Sequence, residues 1–478
     1  MTNSDHASHE SDEGDEGDWE WGEGMKPALG TRRELYNVIH LGVACLFLFT
    51  SFNTTQSLQS SVNAKVGLVS LGVLYLSFSL SSILVANTLA SKLGTRWSLV
   101  LGSACYVFFI GANVKVIPPV LIVTSALTGF GASILWTAQG AYLADNSDAS
   151  NSGLHSGVFW AIFQVQGIVG NMAAQFLLNL ETSRAELYLF GGFSALAVAA
   201  VVLLCFLRSP PPRTGERCKI VNAMETGEGK VGADPAGEGG VPGGLALVRE
   251  VFVLFVNPCM LHLEPLFVYV GVSVAVYFGA ITARLSTTWL GYVMMAFAVC
   301  DTLSSIVAGR LSDAVGRLPV VLAGAVVSVL GLLVAYFAGV CEDPEEGTDD
   351  GVSVGEADCG TTQVALFFVA AVLNGLADGV FNTQTYAMVS DHFGAQATPA
   401  FALSVFLRSS SSGVMFFLSL VVPYGGQAII MIFFLVLGVL LYSRLRWMAR
   451  KSTSLYFEEA SSTLSDDPGT SSPGSCDE

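Results

Sequence analysis

Three full charges stand in otherwise apolar surroundings: Asp301 in VMMAFAVCDTLSSIVAG, Asp378 in LFFVAAVLNGLADGVF and Arg408 in AFALSVFLRSSSSGVMFF. Ionised side chains in such stretches are costly, so they turn toward a protein interior and toward one another. Arg408 can pair with one aspartate, leaving the other to titrate or to coordinate a cation. The bland alternative is a buried structural ion pair with one aspartate protonated. Uncharged amides extend the pattern at helical spacing. Asn53 and Gln56 share a face with Ser57 and Ser60; Gln164 and Asn171 align with Gln175; Asn374, Asp378 and Asn382 follow one another a turn apart; Gln139 adds a further amide. Such stripes line a polar cavity or tie helices together by interhelical hydrogen bonds. Cavity lining is the reading carried forward for Asn, Gln and Asp, and packing for Ser and Thr.

The elements that must position these groups are membrane spans. Twelve apolar stretches of about 19–27 residues fall near 36–58, 66–90, 97–115, 117–143, 154–178, 186–207, 260–281, 288–308, 319–341, 364–389, 398–422 and 425–446. About 20 apolar residues in a helix cross the ~30 Å hydrocarbon core, and a chain in lipid must satisfy its own backbone hydrogen bonds. The expected fold is therefore an all-α integral membrane bundle, with Asp301, Asp378 and Arg408 within a few Å of the midplane at ~1.5 Å per residue. Composition agrees: 52% of residues are hydrophobic and 13% charged, against about 25% charged in soluble domains. The net charge of −17 is local, because 23 of the 39 acids lie in residues 1–24, 342–358 and 452–478. Nothing forms the clustered basic face of a nucleic-acid binder. No phosphate-binding Gly-rich loop, His/Cys metal cluster, cofactor motif or nucleophile–base set is readable, so no enzyme, no cofactor and no metal are expected. With both termini cytosolic, 17 Lys and Arg fall on the cytosolic side and four (Lys65, Lys115, Arg184, Arg284) opposite, a strong positive-inside bias. Which cellular membrane holds the chain stays open.

The expected organisation is a disordered acidic cytosolic tail (1–33), a six-helix half (34–208), a flexible cytosolic linker (209–248), a second six-helix half (249–448) and a disordered cytosolic tail (449–478), with Leu245–Val256 suited to a short interfacial helix. The halves resemble each other. Gly94 aligns with Gly316 at an offset of 222, and Gly129–Asp145 with Gly375–Asp391 at an offset of 246; an acidic insertion before the tenth span explains the difference. Two similar halves around a cytosolic linker resemble the major facilitator transporters. The loop GRLSDAVGR, with Gly309, Arg310, Asp313, Gly316 and Arg317, is similar to that superfamily's gating loop. Its first-half copy carries Ser91 at the Asp position. Asp145 and Asp391 either meet Arg96 and Arg317 in inter-helix latches or are solvated loop acids. Cys341 and Cys359 bracket the acidic loop, either as a disulfide or as two unrelated thiols.

A narrower resemblance runs through both halves. FNTTQSLQSS, GFGASILWTAQGAYLAD, GVFWAIFQVQGIVGN, LEPLFVYVGV, GYVMMAFAVCDTLSSIVAGRLSD and GLADGVFNTQTYA, in this order, resemble the Unc-93-like family, the ion-channel regulatory branch of the major facilitator superfamily. The resemblance implies twelve helices in two pseudo-symmetric halves and leaves two activities open. One is a secondary transporter working by alternating access on a small solute or cation, with proton coupling as an option. The other is a non-transporting regulator of a potassium channel, or an escort for membrane receptors. The partners expected are the lipid bilayer and either that solute or a membrane protein.

Overall fold

The computed structural model describes residues 32–62, 64–147, 152–178, 184–208, 244–340, 360–393 and 397–465. Cys341, Cys359, the acidic loop, the first tail up to residue 31 and linker residues 209–243 lie outside them. The first half comprises α1 (Arg32–Val62), α2 (Ala64–Leu84), the short α3 (Ala86–Leu93), α4 (Thr95–Ala112), α5 (Pro118–Asp145), α6 (Ser152–Leu178) and α7 (Ala185–Cys205). Helix α8 (Gly244–Phe255) precedes the second half. That half comprises α9 (Pro258–Ala275), α10 (Thr287–Val315), α11 (Arg317–Ala338), α12 (Thr361–Phe393), α13 (Ala397–Leu418) and α14 (Tyr424–Ser465). Among the described residues, twelve helices are long and apolar enough to cross a membrane, in the order expected from the sequence. The chain is an integral multi-pass membrane protein. An even number of spans puts the start of α1, α8 and the end of α14 on one face, called here the terminal face.

Local chemistry explains several boundaries. Asn257 caps α9, its side-chain oxygen accepting from Cys259 N at 2.9 Å and Met260 N at 3.4 Å, with Pro258 at the first turn. Gly94 ends α3 at φ +74°, ψ 159°, and Gly316 ends α10 at φ +87°, ψ 160°. Only glycine enters that region without strain. These two residues are repeat mates, so the same backbone turn occurs once in each half. Packing repeats as well. A Cβ on Gly129 would strike the Leu74 carbonyl of α2, and one on Gly375 the Phe297 carbonyl of α10. Gly102 lies against Leu135, and Gly324 against Phe381. Two six-helix units related by pseudo-symmetry follow directly from these matches.

Three details depart from expectation. The second span breaks at Val85. Beyond α9 the chain winds into a π turn (Val276–Ile281) and a 3₁₀ turn (Thr282–Arg284) before the span ends. Helix α14 runs to Ser465, where a disordered tail from 449 was expected; no Gly or Pro intervenes before Pro468. The short helix expected at Leu245–Val256 is present as α8. It buries Val251 and Leu254 and exposes Phe252, Val253 and Phe255, and it packs on α2 of one half and α13 of the other.

The halves meet along α2 with α13, along α6 with α10, and where α1 touches the π and 3₁₀ turns. Ser79 Oγ lies 2.5 Å from Ser410 Oγ and donates to the Phe406 carbonyl at 3.2 Å. Tyr75 stacks on Phe416. Nearer the far face, Gln175 donates to the Thr288 carbonyl at 2.6 Å and accepts from Gly291 N at 2.9 Å. Helices α5 and α12 instead pack chiefly within their own halves.

Candidate functional site

The deep charges sit near the middle of α10, α12 and α13, and the fold brings them together. Close approach of α10 to α12 sets Asp301 and Asp378 at one level. A Cβ on Gly379 would fall on the Asp301 carbonyl and on Ser304 Oγ, so only glycine lets the backbones come this near. Ser304 Oγ donates to the Asp301 carbonyl at 3.1 Å, holding that turn. The two carboxylates are close enough to interact.

Arg408 does not touch either carboxylate directly. Asn382 stands between: its Nδ2 donates to Asp378 Oδ2 at 3.0 Å, and its Oδ1 accepts from the Arg408 guanidinium. The expected pairing of Arg408 with an aspartate is thus corrected to a relay through an amide. Helical spacing explains it, since Asn382 is one turn beyond Asp378 on α12. The guanidinium also lies over the Tyr386 ring, 5.2 Å from its centroid, a cation–π contact. Tyr386 is one further turn along the same stripe and is 45% exposed. A guanidinium carries five donors in a planar fork, and the Asn382 bond engages one nitrogen.

Residues of the first half complete the arrangement. Gln164 of α6 reaches the Asp301 carboxylate. Tyr75 of α2 stands near Arg408 and donates to Gln56 Oε1 of α1 at 3.1 Å. Asp301, Asp378, Asn382, Arg408 and Gln164 each keep accessible surface at mid-bundle depth. Tyr386, one turn beyond Asn382 toward the terminal end of α12, is exposed as well.

Other sequence-predicted residues fall elsewhere. Asn374 is pressed against Gly331 of α11 inside the second half. Asn171 donates to its own helix at the Gly167 carbonyl, 2.7 Å away, and backs the α6–α10 contact at Gly291. Neither joins the charged network, which corrects both assignments: on a helix each residue turns by about 100°, and neighbouring helices decide where a stripe points. Asn53 is half-buried, its carbonyl accepting from Ser57 at 2.9 Å. Gln139 is buried in α5, with no hydrogen bond described that joins it to the network. Sequence reasoning missed Tyr386, although extending the Asn374–Asp378–Asn382 stripe by one turn finds it. It also missed Tyr75, which carries no comparable signal.

At the terminal face, Gly316 makes the turn of the expected gating loop and donates to the Ser312 carbonyl at 3.0 Å. Arg317 grips Asp391 through two bonds, Nε–Oδ2 at 2.5 Å and Nη2–Oδ1 at 2.9 Å, tying α11 to α12. Arg310 is exposed, and Gly309 leaves room beside Thr383. The Asp313 side chain lies outside the described residues. The first-half copy differs: Arg96 donates to the Cys205 carbonyl at the end of α7 and lies over Trp97.

Comparison with known proteins accords with this architecture. The family described as "Ion channel regulatory protein UNC-93" matches residues 58–442. UNC93-like protein MFSD11 of Xenopus laevis is 27% identical over 442 residues, covering 87% of this chain and 96% of that protein. The putative potassium channel regulatory protein unc-93 of Caenorhabditis elegans is 27% identical over 390 residues, covering 74% of this chain and 52% of that protein. Among solved structures, the nucleoside transporter NupG (D323A mutant) superposes with a TM-score of 0.60 at 13% identity, over 87% of this chain and 99% of that one. The fold is that of the major facilitator superfamily.

Proposed function

Because the chain belongs to the UNC-93 family of ion channel regulatory proteins, and its deep charges adjoin residues of both halves, we propose that it is a secondary transporter of a small charged solute or ion. One observation carries this reading: Gln164 and Tyr75 of the first half approach a network whose charges all belong to the second. Rocking one half against the other would change every one of those contacts, as alternating access requires. Arg408 offers unused donors to an anionic group, and Asp301 offers a carboxylate to a cationic group or proton. In this reading both termini are cytosolic, the solute passes between the halves, and no catalysis takes place.

The test is uptake by purified protein in liposomes under imposed proton and cation gradients. Substrate-dependent flux that drops at least ten-fold in Asp378→Asn and Arg408→Ala supports transport. A second reading, a non-transporting channel regulator, draws on the name of the Caenorhabditis elegans relative, a putative potassium channel regulatory protein. Absence of flux, with a membrane protein co-purifying stoichiometrically, would favour it.

A further inference from the structure

The first half brings a pair of indole rings to the level of the charged network. On α6, Trp160, Gln164 and Gly167 follow one another at i, i+4 and i+7, which places them on one helix face. That face looks at the second half: a Cβ on Gly167 would strike Ala298 of α10, and Gln164 approaches the Asp301 carboxylate. Trp160 lies one turn from Gln164 toward the terminal face and is 42% exposed. Its ring is nearly parallel to that of Trp136 on α5, at 15° with centroids 6.3 Å apart. Phe159 and Phe163 meet Trp160 edge-to-face at 5.2 and 5.3 Å and hold its plane. The internal repeat locates Trp136 independently. At the offset of 246 it is the mate of Asn382, the amide that links Asp378 to Arg408. One depth of the bundle thus carries indoles on the first half and ions on the second.

Charge is unbalanced at that depth. Asp378 is joined through Asn382 to Arg408. Asp301 has the Gln164 amide, and among the described residues no Lys or Arg pairs with it. A carboxylate so deep is expensive without a partner. The missing partner is a cation, and the neighbouring surface selects its kind. Inorganic ions take shells of oxygen ligands, and indole faces supply none. An alkylammonium gains instead from lying over Trp within about 6 Å of the ring centroid. Residues one turn apart on a helix have Cβ atoms about 5–6 Å apart, so one small molecule spans from Trp160 to the carboxylate that Gln164 approaches. Core packing would bury Trp160, and contact with lipid would set it off the face that Gly167 turns toward α10.

We propose that the solute of this site is an organic cation, with its ammonium group against Asp301 and its carbon body against the faces of Trp160 and Trp136. The assignment rests on the transporter reading for its movement, whereas its binding is measurable alone. Trp160 is then a specificity-determining residue: it separates organic cations from inorganic ones of equal charge.

The experiment uses the full chain purified in nanodiscs at fixed pH and ionic strength. Equilibrium binding is measured with radiolabelled choline, tetraethylammonium and phenethylamine. Competitors are NaCl and 3,3-dimethylbutan-1-ol, the uncharged isostere of choline. Wild type should bind at least one of the three cations saturably, with neither competitor displacing it at equal concentration. Trp160→Leu should weaken binding at least ten-fold, and Trp160→Phe, which keeps a ring, should weaken it less. Asp301→Asn should weaken it at least ten-fold; if that variant does not fold, the Trp160 pair decides. Trp447→Leu, which removes an exposed indole far along α14, should bind as wild type. The proposal is overturned if folded wild type binds none of the three cations saturably, if the uncharged isostere competes as well as the cation, or if Trp160→Leu binds as wild type. Flux is read separately in liposomes. Saturable binding without uptake strikes only the transporter reading, and uptake of another solute that these cations do not inhibit strikes only the organic-cation assignment.

Discussion

Gly316 shows how much can rest on a single residue. Its φ of +87° with ψ of 160° belongs to a region that side chains enter at about 1–3 kcal/mol. Gly316→Ala should lower the melting temperature although a Cβ there would meet nothing within 4 Å; the cost is conformational, not steric. Gly140, in the helical stretch of α5 and also facing open space, is the control. Gly140→Ala should stabilise by about 0.5–1 kcal/mol. Equal melting of the two variants would remove the conformational argument. At this scale the sequence revealed the charges and hid their partners. Asp301, Asp378 and Arg408 stood out because ionised groups in apolar stretches are expensive. That Asn382 bridges two of them depended on side-chain geometry no spacing rule contains. Asn374 was misplaced for a definable reason: four residues of helix leave it about 40° from Asp378, enough to swing it from the inter-half space onto α11.

Helices and their junctions are the next scale. The twelve spans were legible because apolar length is a local property, and α8 because its apolar residues alternate faces within a short run. The break at Val85 and the π turn at Val276–Ile281 were not legible, since both answer to packing: Gly279 within the π turn lies against Phe416 and Leu68. The Arg317–Asp391 clasp between α11 and α12 was one of two readings the repeat offered, the other being solvated loop acids. Both partners keep accessible surface, 20% and 45% of their side chains, so the pair is worth little in isolation. A double-mutant cycle with Arg317→Ala and Asp391→Ala, read by denaturant unfolding in detergent, should give a coupling of at most about 1 kcal/mol. A much larger value would mean that the clasp organises the loop beyond its own two bonds.

For the whole molecule, the decisive surface is the seam between halves. Ser79 and Ser410 already touch across it, so cysteines at both positions would bring two sulfurs within bonding reach. In Ser79→Cys/Ser410→Cys, oxidation should form a cross-link, stop solute uptake and leave the fold intact, with reductant restoring flux; each single variant should be insensitive. Full uptake by the cross-linked protein would show that α2 and α13 do not part during the cycle. The repeated turns at Gly94 and Gly316 carry a consequence about origin. Two copies of so unusual a backbone shape, at matched places, speak for an ancestral unit of six helices that was doubled and fused. Since then the copies have diverged in trade: one holds an aromatic cluster at mid-bundle, with Trp136 tilted against Phe49 and edge-to-face with Phe163, and the other concentrated the ions. Damage would accordingly be tolerated unequally, the earlier copy absorbing changes of shape and the later one vulnerable to the loss of a single charge.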